Sequence, residues 1–254
     1  MTKQIADFKL IEKQEYGRSV LMRLQAEKAL PDITPGQFVQ VRIDDSPNTY
    51  LRRPISVHDV DFQQNEITLL VQQVGKGTRH LAAAEQGDII NMVLPLGKGF
   101  SNPEKGEKVL LVGGGIGIAP LYYFAKVLNE KGIRPTLLLG GKTESDLLRL
   151  SDYQQLGETF VTTEDGSLGE KGFVTQHSLW QKQSFDKIYV CGPKPMMKAV
   201  AKLAAEKDIW CEVSLENLMA CGLGACLCCV ENTVDGHVCI CKEGPVFNIR
   251  RLKW

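Results

Sequence analysis

Lys108-Val109-Leu110-Leu111-Val112-Gly113-Gly114-Gly115-Ile116-Gly117-Ile118-Ala119-Pro120 decides the fold of this chain. The stretch opens on a short apolar run, the pattern of a strand buried on both faces. The glycines follow at once, and Pro120 suits the first turn of a helix. Leu121, Phe124, Ala125 and Leu128 then recur at i, i+3, i+4 and i+7, and the helix closes at Lys131-Gly132. In a strand–loop–helix setting, backbone N–H groups at the helix start can cradle a pyrophosphate. Gly113, Gly115 and Gly117 are the candidate residues. The run is not a clean G-x-G-x-x-G, and no Gly-Lys-Ser/Thr follows to make it a Walker A loop.

The same alternation extends downstream. Residues 135–139 read as a second strand, 160–163 as a third and 187–190 as a fourth. The fourth runs into Cys191-Gly192-Pro193-Lys194-Pro195-Met196-Met197, after which Met197, Val200, Ala201 and Ala204 give another helical face. This βαβ order predicts a doubly wound parallel sheet over 103–210, with ligand loops at the carboxyl ends of its strands. A composition shift at Asn102-Pro103-Glu104-Lys105-Gly106 marks the linker before it.

Upstream, residues 1–102 alternate like short strands. Val39, Val41 and Ile43 are separated by Gln40 and Arg42, and Ile67, Leu69 and Val71 alternate likewise. Turn signals at 35–36, 44–48, 87–88 and 97–99 punctuate them, which predicts a small antiparallel barrel. Within it stands Arg53-Pro54-Ile55-Ser56, where a guanidinium fork and a hydroxyl could hold a phosphate. An edge strand with surface arginines would read the same way in isolation. Here Leu70-Val71-Gln72 ends a strand, and Gly75-Lys76-Gly77-Thr78 turns into a helix-like run that could accept an anion.

Six of the eight cysteines lie between Cys221 and Cys241. Cys221, Cys226 and Cys229 give C-x4-C-x2-C, the spacing of plant-type [2Fe–2S] centres, with a later cysteine as the fourth ligand. Gly222 and Gly224 would let the backbone wrap such a cluster and turn N–H groups toward its sulfurs. Zinc is the competing reading, but structural zinc sites pair two knuckles or add histidines. Disulfides need an oxidising compartment that nothing here signals. Cys191 and Cys211 suit small apolar filler. Cys228 breaks the spacing, whereas Cys239 and Cys241 sit two apart and would share a face in a strand, so spacing does not choose between them. Residues 211–254 are expected to form a C-terminal cluster module, with a hairpin turning at Asp235-Gly236.

Lys+Arg and Asp+Glu balance at 30 each in 254 residues, which argues against a nucleic-acid partner and a one-signed docking field. The N-terminus has no apolar signal segment. The longest uncharged run, Val109 to Ala125, is shorter than the roughly 20 residues a spanning helix needs. A cytoplasmic protein without a membrane anchor is expected, and clustered cysteines in a reducing compartment favour metal.

Arg53-Pro54-Ile55-Ser56 resembles the R-x-Y-S flavin motif of the ferredoxin-NADP reductase superfamily, with Ile55 in place of the aromatic. Gly77-Thr78 is similar to its second phosphate-contacting motif. Gly113 to Pro120 and Cys191-Gly192-Pro193 resemble its nicotinamide-site motifs, near which Cys191 would lie. Over nearly the whole length the chain resembles the electron-transfer subunits of class 1B dihydroorotate dehydrogenases. The specific matches are Arg52 to Ser56, Gly113 to Pro120, Met219 to Cys226 and Cys241 to Phe247. The resemblance implies Cys221, Cys226, Cys229 and Cys241 as cluster ligands. It implies FAD on Arg53, Pro54, Ile55, Ser56, Leu70, Val71, Gln72, Gly77 and Thr78. It also implies NAD+ as co-substrate, with Lys142 the one candidate for a 2′-phosphate. The implied partner is an FMN-containing catalytic subunit that oxidises dihydroorotate, in a heterotetramer of two copies of each, serving pyrimidine biosynthesis. The chain itself would not bind dihydroorotate.

The chemistry is consistent with that resemblance. NAD+ accepts two electrons as hydride, a [2Fe–2S] cluster carries one, and a flavin handles both, so it must stand between them. Two other readings use the same motifs. One is a diaphorase-type subunit of a hydrogenase, a sulfite reductase or a bifurcating transhydrogenase. The other is a non-catalytic scaffold stapled by zinc, which would be colourless where flavin and cluster would be brown.

Overall fold

The computed structural model describes residues 2–44, 46 and 49–254. The turn expected across 44–48 includes Asp45, Pro47 and Asn48, which lie outside them. By its contacts the chain divides into two units. One comprises the residues through Gly99 together with Asn217–Glu231 and His237–Pro245. The other comprises Phe100–Glu216, Asn232–Gly236 and Val246–Trp254. The segment 211–254 therefore contributes to both.

The first unit is built on the strands β1 (Gln4–Tyr16), β2 (Ser19–Ala26), β3 (Phe38–Val41), β4 (Arg53–Asp61), β5 (Glu66–Gln72) and β6 (Ile89–Leu96). They close an antiparallel barrel in the order β1-β2-β5-β4-β3-β6. Period-two patterning drives the closure. Val20, Met22 and Leu24 of β2 and Ile67, Leu69 and Val71 of β5 all point into the core. On the outer face, Arg23 pairs with Glu12 at 2.8 Å and with Glu66 at 3.4 Å. Strand β3 departs from the expected alternation, since Gln40 is buried along with Phe38, Val39 and Val41. Helix α1 (Lys76–Ala82) follows β5, where the glycine-bearing turn predicts it.

The second unit carries a sheet in the order β10-β9-β8-β7-β11-β12-β15. Its strands are β7 (Val109–Gly114), β8 (Thr136–Gly141), β9 (Glu158–Thr163), β10 (Glu170–Lys171), β11 (Lys187–Cys191), β12 (Trp210–Ser214) and β15 (Val246–Asn248). All pair in parallel except β15, which lies antiparallel on β12. The helices are α2 (Ala119–Glu130), α3 (Leu150–Leu156), α4 (Leu179–Lys182) and α5 (Lys194–Glu206). The stripe Leu121, Phe124, Ala125 and Leu128 of α2 is buried as its period requires. Phe124 stacks on Phe100 at 4.9 Å and meets Tyr189 edge-on at 4.8 Å. Strands β7 and β11 are neighbours although three strands and three helices separate them in sequence, so the order reverses there. That reversal is the position at which open α/β sheets bind ligands.

The cysteine segment ends in a two-stranded ribbon, β13 (Val230–Thr233) and β14 (Gly236–Cys239), followed by the single turn α6 (Ile240–Glu243). The hairpin forms as expected but turns at residues 234–235, one residue before the expected Asp235-Gly236, and Gly236 opens β14. Cys239 closes the strand while Cys241 lies in the helical turn, so the two do not share a strand face.

Candidate cofactor sites

The cysteines are held by a loop that points its N–H groups at sulfur. The Leu223 N–H donates to Cys221 Sγ at 3.3 Å, Gly224 N–H to Cys241 Sγ at 3.1 Å and Cys241 N–H to Cys229 Sγ at 3.4 Å. Burial alone would raise the Cys221 thiol. The N–H groups of Leu223, Cys226 and Ala225 and the Cys226 side chain outweigh it and bring the thiol down to about 6. Burial and the neighbouring Cys229 push Cys241 up to about 12. Burial also raises Cys239, and the charges of Cys229, Cys221 and Cys226 add to it.

Five sulfurs thus share one electrostatic neighbourhood. Cys228 stands apart, its thiol turned to the Leu218 carbonyl at 3.7 Å. Cys239 turns its thiol to the Gly224 carbonyl at 3.9 Å, whereas Cys241 is buried inside the N–H···S network. Among the described residues, no three His, Cys, Asp or Glu side chains close on a point that would hold a single metal ion. A soft thiolate set backed by N–H donors fits an iron–sulfur cluster. Gly222, at φ +69°, is required by a close approach as well as by its turn. A Cβ there would stand 2.8 Å from Gln40 Cγ.

The two stretches expected to hold a flavin come together where the β4–β5 ladder ends. The β4–β5 ladder runs from Asp61↔Glu66 to Val57↔Leu69 and ends there. Beyond it, Arg53 to Ser56 pair with β3, while Leu70, Val71 and Gln72 pair with β2. The residues Arg53, Pro54, Ile55 and Ser56 are all half-buried, unlike a closed barrel strand. The side chains of Leu70 and Val71 are both buried, so what they offer a ligand is backbone. A Cβ on Gly77 would stand 2.6 Å from Arg53 Nε, which brings the start of α1 onto that guanidinium. Thr78 Oγ1 accepts from the Val74 and Gly75 N–H groups, both at 3.1 Å, and so fixes the turn.

The two arginines that the sequence presents together have different work. Arg52 donates to Asn91 Oδ1 at 2.6 Å, and Asn91 donates to Asp7 Oδ1 at 2.6 Å, so Arg52 is spent on the barrel. Among the described residues, Arg53 Nη1 donates to the Leu51 and Arg52 carbonyls.

In the second unit the glycine loop and the Cys191-Gly192-Pro193 turn form one surface. Cys191 lies opposite Gly113 across the β7–β11 ladder. A Cβ on Gly117 would stand 2.5 Å from Gly192 Cα, so only glycine fits there. Gly115 has open space around it at φ +53°. Burial raises the Cys191 thiol well above its ordinary range, Glu216 adds to this, and a Ser214 hydrogen bond opposes it. A buried neutral thiol packs rather than reacts.

The loop also rests on a residue that sequence reading missed. Fully buried Tyr153 of α3 donates from its hydroxyl to the Ile118 carbonyl at 2.9 Å. Tyr122 meets it edge-on at 5.5 Å, under the Arg149 guanidinium. A lone tyrosine on an amphipathic helix gives no signal of that contact. Lys142, exposed at the end of β8, has acidic company. The Glu164 N–H bonds the Gly141 carbonyl at 3.1 Å, and the Asp165 N–H bonds that of Lys142 at 3.2 Å.

Comparison with known proteins is consistent with this geometry. Residues 216–253 match the iron–sulfur cluster binding domain of dihydroorotate dehydrogenase B, and residues 111–202 match the oxidoreductase NAD-binding domain. The dihydroorotate dehydrogenase B (NAD(+)) electron transfer subunit of Shouchella clausii (strain KSM-K16) is 40% identical, over 98% of each chain. That of Fusobacterium nucleatum subsp. nucleatum is 42% identical over 84% of this chain and 85% of its own. Among solved structures, a chain from the NADH-dependent reduced ferredoxin-NADP oxidoreductase superposes with a TM-score of 0.88 at 32% identity. It covers 97% of this chain and 90% of its own length. The ferredoxin reductase of carbazole 1,9a-dioxygenase shares the fold at a TM-score of 0.70 and 20% identity, over 82% of this chain and 67% of its own. Near-complete coverage by relatives at this identity shows that the chain belongs to the electron transfer subunits of dihydroorotate dehydrogenase B.

Proposed function

We propose that this chain passes electrons from the FMN of a dihydroorotate-oxidising catalytic subunit, by way of a [2Fe–2S] cluster and FAD, to NAD+ in UMP biosynthesis. The observation that carries it is the N–H···S network that singles out Cys221, Cys229 and Cys241, in a chain that also holds both ligand loops of a flavin–nicotinamide reductase. Cys221, Cys226, Cys229 and Cys241 are the residues that would hold the cluster. Arg53 to Ser56, Leu70 to Gln72 and Gly77-Thr78 would hold FAD. Gly113, Gly115, Gly117 and Cys191 to Pro193 would hold the nicotinamide nucleotide. When bound, these groups supply all the redox chemistry, converting single electrons into a hydride.

The chain's own residues bind, orient and shield. Arg53, whose bonds among the described residues are to the Leu51 and Arg52 carbonyls, would supply the guanidinium for the flavin phosphates, since Arg52 is committed to Asn91. Gly117 lets the glycine loop seat against Gly192. Exposed Glu164 and Asp165 beside Lys142 oppose a 2′-phosphate and favour NAD+. No side chain has to move a proton at a reacting carbon. Among the described residues, no helix is long and apolar enough to cross a membrane. We place the chain in the cytoplasm, in a heterotetramer with two catalytic subunits, on its cysteine usage and its family.

The test is stopped-flow reduction of the purified complex by dihydroorotate. Cys226→Ser should leave FMN reduction at its normal rate and abolish FAD reduction. FAD reduction at normal speed in that variant would refute the relay. A second reading has its own support, because the TM-score of 0.88 to the ferredoxin-NADP oxidoreductase chain favours a subunit of a bifurcating enzyme. Under that reading dihydroorotate would reduce neither flavin, while NADH would reduce the complex.

A further inference from the structure

Gln40 occupies the middle of β3 with no solvent exposure. Its backbone is committed. It pairs with Pro54 on β4 and Val93 on β6, and its carbonyl accepts from Arg52 Nη1 at 3.2 Å. Its side chain is not committed, for neither Nε2 nor Oε1 has a hydrogen-bond partner among the described residues. Each buried polar group left unmet costs about 1–3 kcal/mol, and few persist without a reason.

The side chain is buried because the cysteine loop covers it. A Cβ on Gly222 would stand 3.0 Å from Gln40 Nε2 and 3.2 Å from Leu96 Cδ1. The carboxamide therefore abuts the loop backbone one residue beyond Cys221. The same loop aims two backbone N–H groups at cysteine sulfurs, and Cys241 of the α6 turn aims a third. A fourth donor, from the barrel side, meets it at Gly222, where the backbone carries no Cβ.

We propose that Gln40 donates an N–H···S hydrogen bond from Nε2 to the sulfur shell of the iron–sulfur cluster on its Cys221 side, and so raises the cluster's potential. The inference rests on the reading that these cysteines hold a cluster. Thiolate and sulfide sulfurs are acceptors whose charge grows on reduction. A donor stabilises the reduced form more than the oxidised one, and the potential rises. An acceptor at this position would act in the opposite sense. Gln40 is a positioning and tuning residue rather than a ligand. Its strand partner Pro54 lies in the flavin motif, so the flavin is the competing recipient of the N–H.

The experiment is a potentiometric EPR titration of the flavin- and iron-loaded protein carrying Gln40→Leu. The expected result is full iron and acid-labile sulfide, a lower cluster midpoint, shifted g values and an unchanged flavin midpoint. A cluster midpoint and g values equal to wild type overturn the proposal, as does a shift confined to the flavin. Wild-type protein labelled with 15N in its glutamine side chains supplies a test that needs no variant. Pulsed EPR of the reduced cluster should show coupling to a side-chain 15N, and its absence overturns the proposal even if Gln40→Leu fails to fold. A wild-type protein without any paramagnetic iron signal would remove the cluster itself. That result differs from a signal indifferent to position 40.

Discussion

Cys239 and Cys241 show how two like residues acquire different chemistry. Both belong to the segment that follows the C-x4-C-x2-C loop, and by spacing either could close a four-thiolate set. The chain turns between them. Cys239 ends a strand with its thiol on the Gly224 carbonyl, whereas Cys241 enters a helical turn and accepts the Gly224 N–H. An acceptor carbonyl repels a thiolate, and a donor N–H stabilises one. Anaerobically purified Cys241→Ser is therefore expected to lose most of its iron and acid-labile sulfide. Cys239→Ser and Cys228→Ser should keep both within about 20% of wild type, because their sulfurs lie outside the donor network. Colorimetric iron and sulfide assays on the three variants decide it, and equal loss in Cys239→Ser would sink the assignment of Cys241.

The parallel sheet is legible from sequence because its central strands β7, β8 and β11 are short apolar runs, and the helices α2 and α5 that follow β7 and β11 show their period. The barrel is legible because its strands alternate. What escaped is whatever depends on a second segment arriving from elsewhere in the chain. Gln40 reads as outward-facing in a two-residue period, and its burial depends on a loop about 180 residues away. Nothing within Val246–Asn248 shows that it becomes an antiparallel edge on β12. Tyr153 belongs to the same class. Its helix α3 is too short for its period to be informative, yet its hydroxyl fixes the end of the glycine loop through the Ile118 carbonyl. Removing that donor leaves a buried carbonyl unmet, at a cost of about 1–3 kcal/mol. Tyr153→Phe is expected to fold, to lower the thermal midpoint by a few degrees, and to raise the KM for NADH by roughly tenfold, with kcat changed less than about twofold. Steady-state diaphorase kinetics with an artificial acceptor separate the two parameters. An unchanged KM would show that the hydroxyl serves stability alone.

The molecule as a whole has no net charge, yet the proposed relay requires it to dock on a partner. Long-range steering needs a field of one sign, and a balanced chain supplies little of it. What the first unit does supply is apolar. Within the cysteine segment, Leu218 is 86% exposed and Leu227 65%, and Leu223 is also exposed. Leu227 further holds a left-handed backbone at φ +59°, a conformation that a branched side chain adopts at a cost. Exposed leucines and a strained backbone are disadvantages for an isolated chain, and burial against a partner offsets them. Association with the catalytic subunit should therefore be nearly indifferent to salt. The Kd should change by less than about threefold between 50 and 300 mM NaCl, since screening acts only on charge. Leu218→Asp together with Leu227→Asp should weaken it by a hundredfold or more, at about 1.4 kcal/mol per factor of ten. The iron content of the lone chain should stay as it was. Sedimentation velocity across a salt series measures both effects. A steep salt dependence, with no effect of the leucine substitutions, would move the docking surface away from the cysteine segment.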